Sequence, residues 1–597
     1  ALQGDLTLGA NALIDVSGAV VQAGLSQARN LDAGSITLLA KQQDVLAENG
    51  SRLLLNAVND KAKAGVLTAR AGAGEVRLNG SLEAGGGSKS QGGSVVIDSG
   101  SLSGGFDALN QQLASGGFTG GIDVRLRTGD IMLSDGQTID AHSIKLTADS
   151  GALTVAGALD ASDVQGGSVE LNAEDNLTLA ATASVLANAT GTDQAGGKVK
   201  LASLDSQSDG AGIVFGSGAR IDVSASGAGE EGQVHLRAGR GGNDINVSSI
   251  ADGAINGDSR VDLEAVRVYN DTVITADDQN GYDSDNRTFV DNFNDRFGAG
   301  YVLLAGVEVR SNGDLTIADA WDLSAWRYGA DNLPGVLTLR AGGDLLVNAG
   351  LSDGFAAGIL ETQAFGPIPV TDMLQTGQSW SYKLVAGADL NSADSSALKP
   401  APSLLQAATD GDFELASDVS VRTGTGDIEV LAARDIVYAS NTSTIYTAGR
   451  ADESNRYGTG GEDLAVFFYA EFARDGGDIS LNAGRNVVAQ PTDQLLSDVL
   501  VRTGNWSRNQ DHTGERPTIW GLALGTPETG EHPTLQHRQS LAAFGGGDIS
   551  VSAGGKVTDV SVVIPTSGKQ VGNRTDNDPN NLGNFTSNVN QVQGGGN

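Results

Sequence analysis

Apolar and polar residues alternate along most of this chain with a period of two, which is the period of β-strands. Val169 and Leu171 flank Glu170, and Val199 and Leu201 return in the same order one phrase later. The helical spacing of apolar residues at i, i+3, i+4 and i+7 is almost absent. The pattern predicts short strands with one apolar face toward a core and one polar face toward solvent.

One phrase recurs: a glycine, a small or polar residue, aliphatic residues alternating with polar ones, and finally alanine. Early neighbouring copies begin 31, 27, 30 and 36 residues apart, with one larger gap. Self-similarity at such a period is typical of solenoids. The copies begin at Gly34, Gly65, Gly92, Gly166, Gly196, Gly232, Gly335, Gly426, Gly476 and Gly546.

Each repeat holds more than one strand, because further alternating segments follow the phrase at 176–189 and 212–226. Three short strands per roughly 30 residues, joined by Gly, Ser, Asn and Asp turns, describe one coil of a β-helix. We therefore predict an all-β fold, a right-handed parallel β-helix (β-solenoid) rod with loop excursions in the second half. Some twenty coils would make a rod on the order of 100 Å long. The Gly pairs are expected to supply positive φ at corners and close approach between coils.

The two halves of the chain differ, because all 11 Pro and all five Trp lie after residue 320. Regular coils are expected over 1–265, and an acidic and aromatic excursion with a return to the rod over 266–334. Residues 335–572 are expected to be β-helix with long excursions, at about 352–420, 450–475 and 490–545. The polar Asn/Gly-rich end, 573–597, reads as the start of a coil that has been cut.

Composition narrows the function classes. The chain has 73 acidic and 38 basic residues, a net charge of −35, which repels phosphate backbones and argues against nucleic-acid binding. It has no Cys, which excludes disulfides and thiolate metal sites. No run of about 18 apolar residues occurs, so no transmembrane segment is predicted.

Several phrases resemble the filamentous haemagglutinin family of large exoproteins, the secreted partners of bacterial two-partner secretion systems. The first is the repeat GGxVxLxA with a following strand and IDVSG at 14–18. The second half is similar to the conserved C-terminal region of this group over most of 310–572. The matching phrases are WDLSAWR (321–327), PGVLTLRAGGDL (334–345), LSDGF (351–355), SWSYKLVAGADL (379–390), VRTGTGDIEV (421–430), IYTAGR (445–450) and TSGKQVG (566–572).

The resemblance implies export through an outer-membrane two-partner secretion transporter and display as an extracellular fibre on a Gram-negative cell. Its expected role is adhesion, aggregation or biofilm formation, with a host or neighbouring-cell surface, glycan or matrix as partner and end-to-end self-association as a further possibility. We expect no enzyme activity. The alternatives are the stalk of a contact-dependent toxin, a structural filament or matrix protein, and a polysaccharide-active β-helix enzyme. The enzyme would need acids and a base that converge in a groove on one face.

Aromatic residues in the excursions are the candidate ligand-binding side chains, because an exposed indole or phenol ring stacks well on a sugar ring. The competing interpretation, which we favour, is that they anchor the excursions to the rod. These residues are Trp321, Trp326, Tyr328, Trp380, Tyr382, Trp506 and Trp520.

Two groups could hold metals, although we expect no obligatory cofactor. The acidic run at 277–297 offers oxygen ligands for Ca²⁺ but does not fit the EF-hand spacing, and a solvated loop is favoured. Its candidate ligands are Asp277, Asp278, Asp283 and Asp285. A zinc site from His512, His532 and His537 is conceivable, at a spacing that matches no motif. Asp15 and Asp222, at equivalent places beside turns, are expected to cap backbone N–H groups rather than to catalyse.

Overall fold

The chain folds into two compact units. The first comprises Ala1–Arg267, Phe293–Leu304 and Asn391–Ser395, and the second comprises Val268–Asn292, Ala305–Leu390 and Ser396–Asn597. The computed structural model describes residues 4–22, 28–204, 212–258, 260–362, 366–399, 410–451, 472–495, 500–503, 519–522, 526–527, 537–571 and 589–596.

The first unit is built on a long parallel ladder, in which the phrase strand of each repeat pairs with the phrase strand of the next. Val169 lies opposite Val199, and Leu171 lies opposite Leu201. These aliphatic side chains are at most 1% exposed, so the predicted alternation between a buried and a polar face is confirmed. The ladder strands are Ser35–Ala40, Val66–Leu78, Ser94–Ser101, Gly121–Leu126, Ser143–Ala148, Ser168–Ala173, Lys198–Ser203, Gln233–Gly241 and Val261–Asn270.

Two shorter sets of parallel strands accompany the long ladder in the first unit, which gives the expected three strands per repeat. The first set is Leu6–Leu8, Val45–Ala47, Ile131–Leu133, Leu153–Val155, Leu177–Leu179 and Ile213–Phe215. The second set is Leu13–Asp15, Arg52–Leu54, Ser81–Glu83, Thr138–Asp140, Ala158–Asp160, Ser184–Leu186, Arg220–Asp222 and Ile255–Asn256. Asp244–Ile245 and an antiparallel hairpin, Ala19–Val21 with Arg29–Leu31, complete its strands among the described residues.

The second unit repeats this plan. Its long ladder is Tyr301–Ser311, Gly335–Ala341, Ser381–Ala386, Ile428–Ala432, Ile479–Ala483 and Ile549–Ala553. Its short sets are Val273–Ile274, Leu315–Ile317, Leu345–Val347, Phe413–Leu415, Ile436–Tyr438, Val487–Val488 and Val557–Thr558, and Trp321–Asp322, Leu351–Ser352, Ser420–Thr423, Thr444–Thr447, Leu541–Ala543 and Val562–Val563. Inward residues of all three sets, such as Leu339, Leu345 and Leu351, belong to one apolar core. The architecture is therefore all-β and parallel, consistent with a β-solenoid.

Excursions from the second unit's ladders form antiparallel strands, because a chain that leaves and returns at one place meets itself in opposite directions. Ladder strands Ser381–Ala386 and Phe413–Leu415 lie inside the predicted excursion 352–420, which is therefore not continuous. The excursion strands are Phe355–Thr362, Gly366–Leu374 and Thr526–Pro527; Arg450–Ala451 and Ala473–Arg474; and Leu500–Thr503, Ile519–Leu522, Thr566–Val571 and Val589–Gly594.

Among the described residues, two α-helices, α1 (Phe106–Ser115) and α2 (Ala276–Asp291), and a 3₁₀ turn at Lys89–Gln91 interrupt the strands. The solvated loop favoured for the acidic run at 277–297 was wrong over 277–291, because α2 occupies that part of the chain. The physical reason is local: the Asp278 carboxylate accepts hydrogen bonds from the backbone N–H and the hydroxyl of Thr275, which caps the helix start.

The Gly pairs of the phrase serve both expected purposes: Gly546 and Gly547 have positive φ, whereas Gly167 and Gly197 are required by close approach alone. A Cβ on Gly197 would lie 2.1 Å from the carbonyl oxygen of Gly167, and one on Gly167 would lie 2.1 Å from that of His142. Neither glycine has a positive φ. Successive repeats thus contact each other backbone to backbone at this corner, where any larger residue would force them apart.

Candidate functional site

Five of the seven candidate aromatic residues belong to one buried cluster in the second unit. The indole of Trp326 lies 5.7 Å from that of Trp321 and 5.9 Å from that of Trp380, both edge-on. The Tyr328 ring lies 6.2 Å from Trp380, and Tyr282 of α2 lies 5.9 Å from Trp321. Rings in such tilted and T-shaped contacts stabilise one another beyond the area they bury.

A buried polar network fixes this cluster. The Asp353 carboxylate is fully buried and accepts hydrogen bonds from Arg327 Nη2 at 2.8 Å and from the backbone N–H of Trp380 at 2.7 Å. Burial raises the pKa of Asp353, although Arg327 and these hydrogen bonds oppose the shift. The indole N–H of Trp380 donates to the carbonyl oxygen of Trp326 at 2.9 Å. These hydrogen bonds fix Trp380 relative to both Asp353 and Trp326.

Burial removes these rings from the surface that a glycan would contact. Their exposed fractions are 8% or less, so the five side chains have no free face for stacking on a sugar ring, and the arrangement favours the anchoring interpretation. This applies to Trp321, Trp326, Tyr328, Trp380 and Tyr382. Trp506 lies outside the described residues, and for Trp520 only its place in the strand Ile519–Leu522 is described.

The acidic residues of α2 are engaged within the protein rather than grouped around a cation position. Asp283 accepts from the Tyr328 hydroxyl at 3.0 Å and from Arg287 Nε at 2.9 Å. Asp285 accepts from the Tyr269 hydroxyl at 2.7 Å. Asp278 caps the helix, and Asp277 is exposed in its first turn, where a negative charge opposes the helix dipole favourably. These contacts tie α2 to the aromatic cluster, and a Ca²⁺ site stays a prediction.

The structure also shows the positions of three other residues that the sequence analysis singled out, Asp15, Asp222 and His537. Asp15 and Asp222 accept hydrogen bonds from the backbone N–H groups of Ser17 and Ser224, each at 3.0 Å, which confirms the turn-capping interpretation. His537 is buried against Tyr446 and Phe544, and burial lowers its pKa to about 3. Its predicted zinc partners, His512 and His532, lie outside the described residues. No group of three or more His, Asp or Glu suited to a metal ion occurs in the described part of the chain.

A second polar constellation, which sequence reasoning did not assemble, lies on the outer face of the first unit's long ladder. Asp123, Lys145, Glu170 and Lys200 occupy equivalent positions in four successive strands and alternate in charge. Glu170 pairs with Lys145 at 3.4 Å and with Lys200 at 3.5 Å. Aligning the repeated phrases would have revealed this row, because its members share the third position of the strand. We refer to these four residues as the charged row.

Acids and a base therefore converge at Lys145, which is what the enzyme alternative needs. However, Asp394 also pairs with Lys145, at 2.7 Å, and is only 6% exposed. The segment that contains it, Asn391–Ser395, belongs to the first unit and covers this part of the charged row. Lys145 is thus engaged by both Asp394 and Glu170, and 27% of its side-chain surface stays exposed.

Another convergence of acids and a base lies at a corner of the first unit. Lys89 Nζ lies 2.5 Å from Asp140 and 3.2 Å from Asp160, which face each other in adjacent parallel strands. Next to them, His142 Nδ1 lies 3.1 Å from Asp163. Asp163 also accepts from the backbone N–H of Ser90 at 3.2 Å. The single Lys89 charge offsets the repulsion between the two opposed carboxylates, and its ion pairs fasten the 3₁₀ turn to the ladder, which is a structural role.

Comparison with known proteins identifies no relative: no family model, curated protein or solved structure matches this chain. Within the described residues, no helix has the length and apolar character needed to cross a membrane.

Proposed function

We propose that this chain is a segment of a secreted, surface-displayed filamentous adhesin of a Gram-negative bacterium, built as a right-handed parallel β-helix. The observation that carries the proposal is the repeated stacking of three parallel strands per repeat over inward aliphatic columns in both units. Stacked repeats give long surfaces and need only their neighbours for stability, which suits a fibre that folds as it emerges from a transporter.

Two features of the chain support this role further. Its phrases resemble filamentous haemagglutinin exoproteins, whose export uses an outer-membrane two-partner secretion transporter. It has no Cys, so no disulfide can trap the chain during passage in an unfolded state. The expected partners are a host or neighbouring-cell surface, a glycan or an extracellular matrix.

Deletion of the gene tests the adhesive role. We expect cell–cell aggregation and surface attachment to fall in the deletion strain and to recover on complementation with the full-length protein. A strain that lacks only the partner transporter serves as the matched control, because it makes the protein but cannot display it. Unchanged attachment after deletion would refute the adhesin role and favour the toxin-stalk and enzyme alternatives.

A second candidate role, a structural filament joined end to end, is favoured by the outermost described strands. Ile549 and Val551 are half-buried, whereas Ile479 and Leu481, which pair with them one repeat inward, are 1% exposed. Ile14, in the first repeat, is also half-buried, whereas Leu53, which pairs with it one repeat inward, is 1% exposed. Such open apolar strand edges are templates for further pairing.

Light scattering of the purified chain across a concentration series tests this role. We expect linear oligomers that dissociate when Ile14→Glu is introduced. A chain that stays monomeric at every concentration would contradict it. Leu13→Glu is the matched control, because Leu13 lies in the same strand but faces outward, opposite Arg52, and is 58% exposed.

A further inference from the structure

The segment Asn391–Ser395 lies on the charged row although more than 240 residues separate it from its partners in the chain. The hydroxyl of Ser392 donates to Asp149 Oδ1 at 2.8 Å, and the backbone N–H of Ala393 donates to the same oxygen at 3.2 Å. Asp394 completes the contact through its ion pair with Lys145. Ser392, Asp394 and Ser395 are at most 6% exposed.

The contacts of this segment with the charged row are polar. Its five residues are Asn, Ser, Ala, Asp and Ser, and none is a large apolar residue that could anchor it by hydrophobic burial. Ion pairs and hydrogen bonds that replace contacts with water contribute modestly to stability. The position of a segment held in this way depends on the charges beneath it.

Those charges do not all favour docking. Asp123 lies next to Lys145 in the charged row, and burial raises its pKa to about 6. Asp394 and Glu170 repel its negative charge, whereas Lys145 and Arg70 attract it. Docking thus brings Asp394 close to Asp123, and its negative charge helps to raise the pKa of the Asp123 carboxyl group. The docked state therefore binds a proton at Asp123 more readily than the undocked state.

We propose that Asn391–Ser395 is a pH-dependent latch, clamped by the Lys145–Asp394 ion pair and opposed by ionised Asp123. The sign follows from linkage. Between about pH 4 and pH 6 the docked state takes up a proton at Asp123, so docking tightens as the pH falls through this range. At neutral pH Asp123 is ionised, its repulsion of Asp394 is complete, and the latch opens more often.

The absence of Cys makes a single-cysteine labelling experiment clean. Ser395→Cys, in the full chain, places a buried thiol within the latch itself. Ala181→Cys provides an exposed reference thiol. The ratio of their maleimide labelling rates cancels the intrinsic effect of pH on thiol reactivity. We expect the Ser395→Cys thiol to be protected severalfold more at pH 5 than at pH 7.5, since each linked unit of pKa shift is worth a factor of ten.

Variants on the Ser395→Cys background identify the responsible groups. Asp123→Asn should abolish the pH dependence, and Lys145→Met should abolish protection at both pH values, whereas Lys145→Arg should retain it. Asp140→Asn, which removes an outward carboxylate from another set of strands, should change neither. Circular dichroism verifies folding, and Asp123→Asn decides the test if Lys145→Met does not fold.

Three results would overturn the proposal. The first is a Ser395→Cys thiol that labels as fast as the reference thiol at both pH values. The second is protection that does not change between them. The third is a pH dependence that survives Asp123→Asn.

Discussion

Replacement of Trp380 by alanine is the sharpest test of whether the aromatic cluster is a structural core. The Trp380 side chain is fully buried, and its ring packs so closely on the backbone that a Cβ on Gly335 would lie 2.6 Å from its Cη2 atom. Truncating a buried Trp to Ala costs about 3–5 kcal/mol in cavity and transfer free energy. Trp380→Phe keeps most of the ring but removes the hydrogen bond to Trp326, so we expect about 1–3 kcal/mol.

Tryptophan fluorescence during urea unfolding of the full chain measures these losses where they occur, because Trp321, Trp326 and Trp380 lie in the second unit and no Trp precedes residue 321. We expect the midpoint to fall in the order parent, Trp380→Phe, Trp380→Ala. Far-UV circular dichroism without urea should stay unchanged for the Phe variant. A Trp380→Ala free energy of unfolding within 1 kcal/mol of the parent would refute the core assignment and return this ring to the list of ligand-binding candidates.

Three other predictions use the same unfolding assay. Tyr438→Phe should leave the free energy of unfolding unchanged or raise it by up to about 1 kcal/mol, because the buried hydroxyl has no partner among the described residues. A clear fall in the free energy of unfolding would contradict this prediction. Arg340→Met should lower the free energy of unfolding by about 3 kcal/mol, because Arg340 is 1% exposed and pairs at 3.2 Å with the fully buried Glu308. Arg340→Lys should lower it less, because it keeps the positive charge. Equal losses in the two variants would contradict the ion-pair explanation. Burial lowers the pKa of His537 to about 3 in the folded state, so the free energy of unfolding should fall by roughly 1 kcal/mol per pH unit as the pH falls below about 6. His537→Phe should remove that part of the dependence of stability on pH. An unchanged dependence in this variant would refute the prediction.

The strand pattern was predictable because it depends on neighbouring residues alone. Alternation at Val169 and Leu171 reports which side of a pleated strand faces inward, and the recurring phrase places equivalent residues opposite one another. Helix α2 was harder to predict, since its buried face combines Tyr282 and Phe289 with the polar residues Gln279 and Asn286. The Thr275–Asp278 capping box was the one local signal that marked its start.

The sequence by itself determined the parallel repeats, their register and the inward columns, because backbone geometry and hydrophobic burial act through short-range pattern. Only the tertiary structure decided which outward or loop side chains are accessible. Trp380 occurs in an excursion and Arg340 on an outward position, yet both are buried by chain that lies elsewhere in the sequence. Asp394 reaches Lys145 across 249 residues. Exposure depends on what covers a side chain, and no local pattern records a contact at that separation.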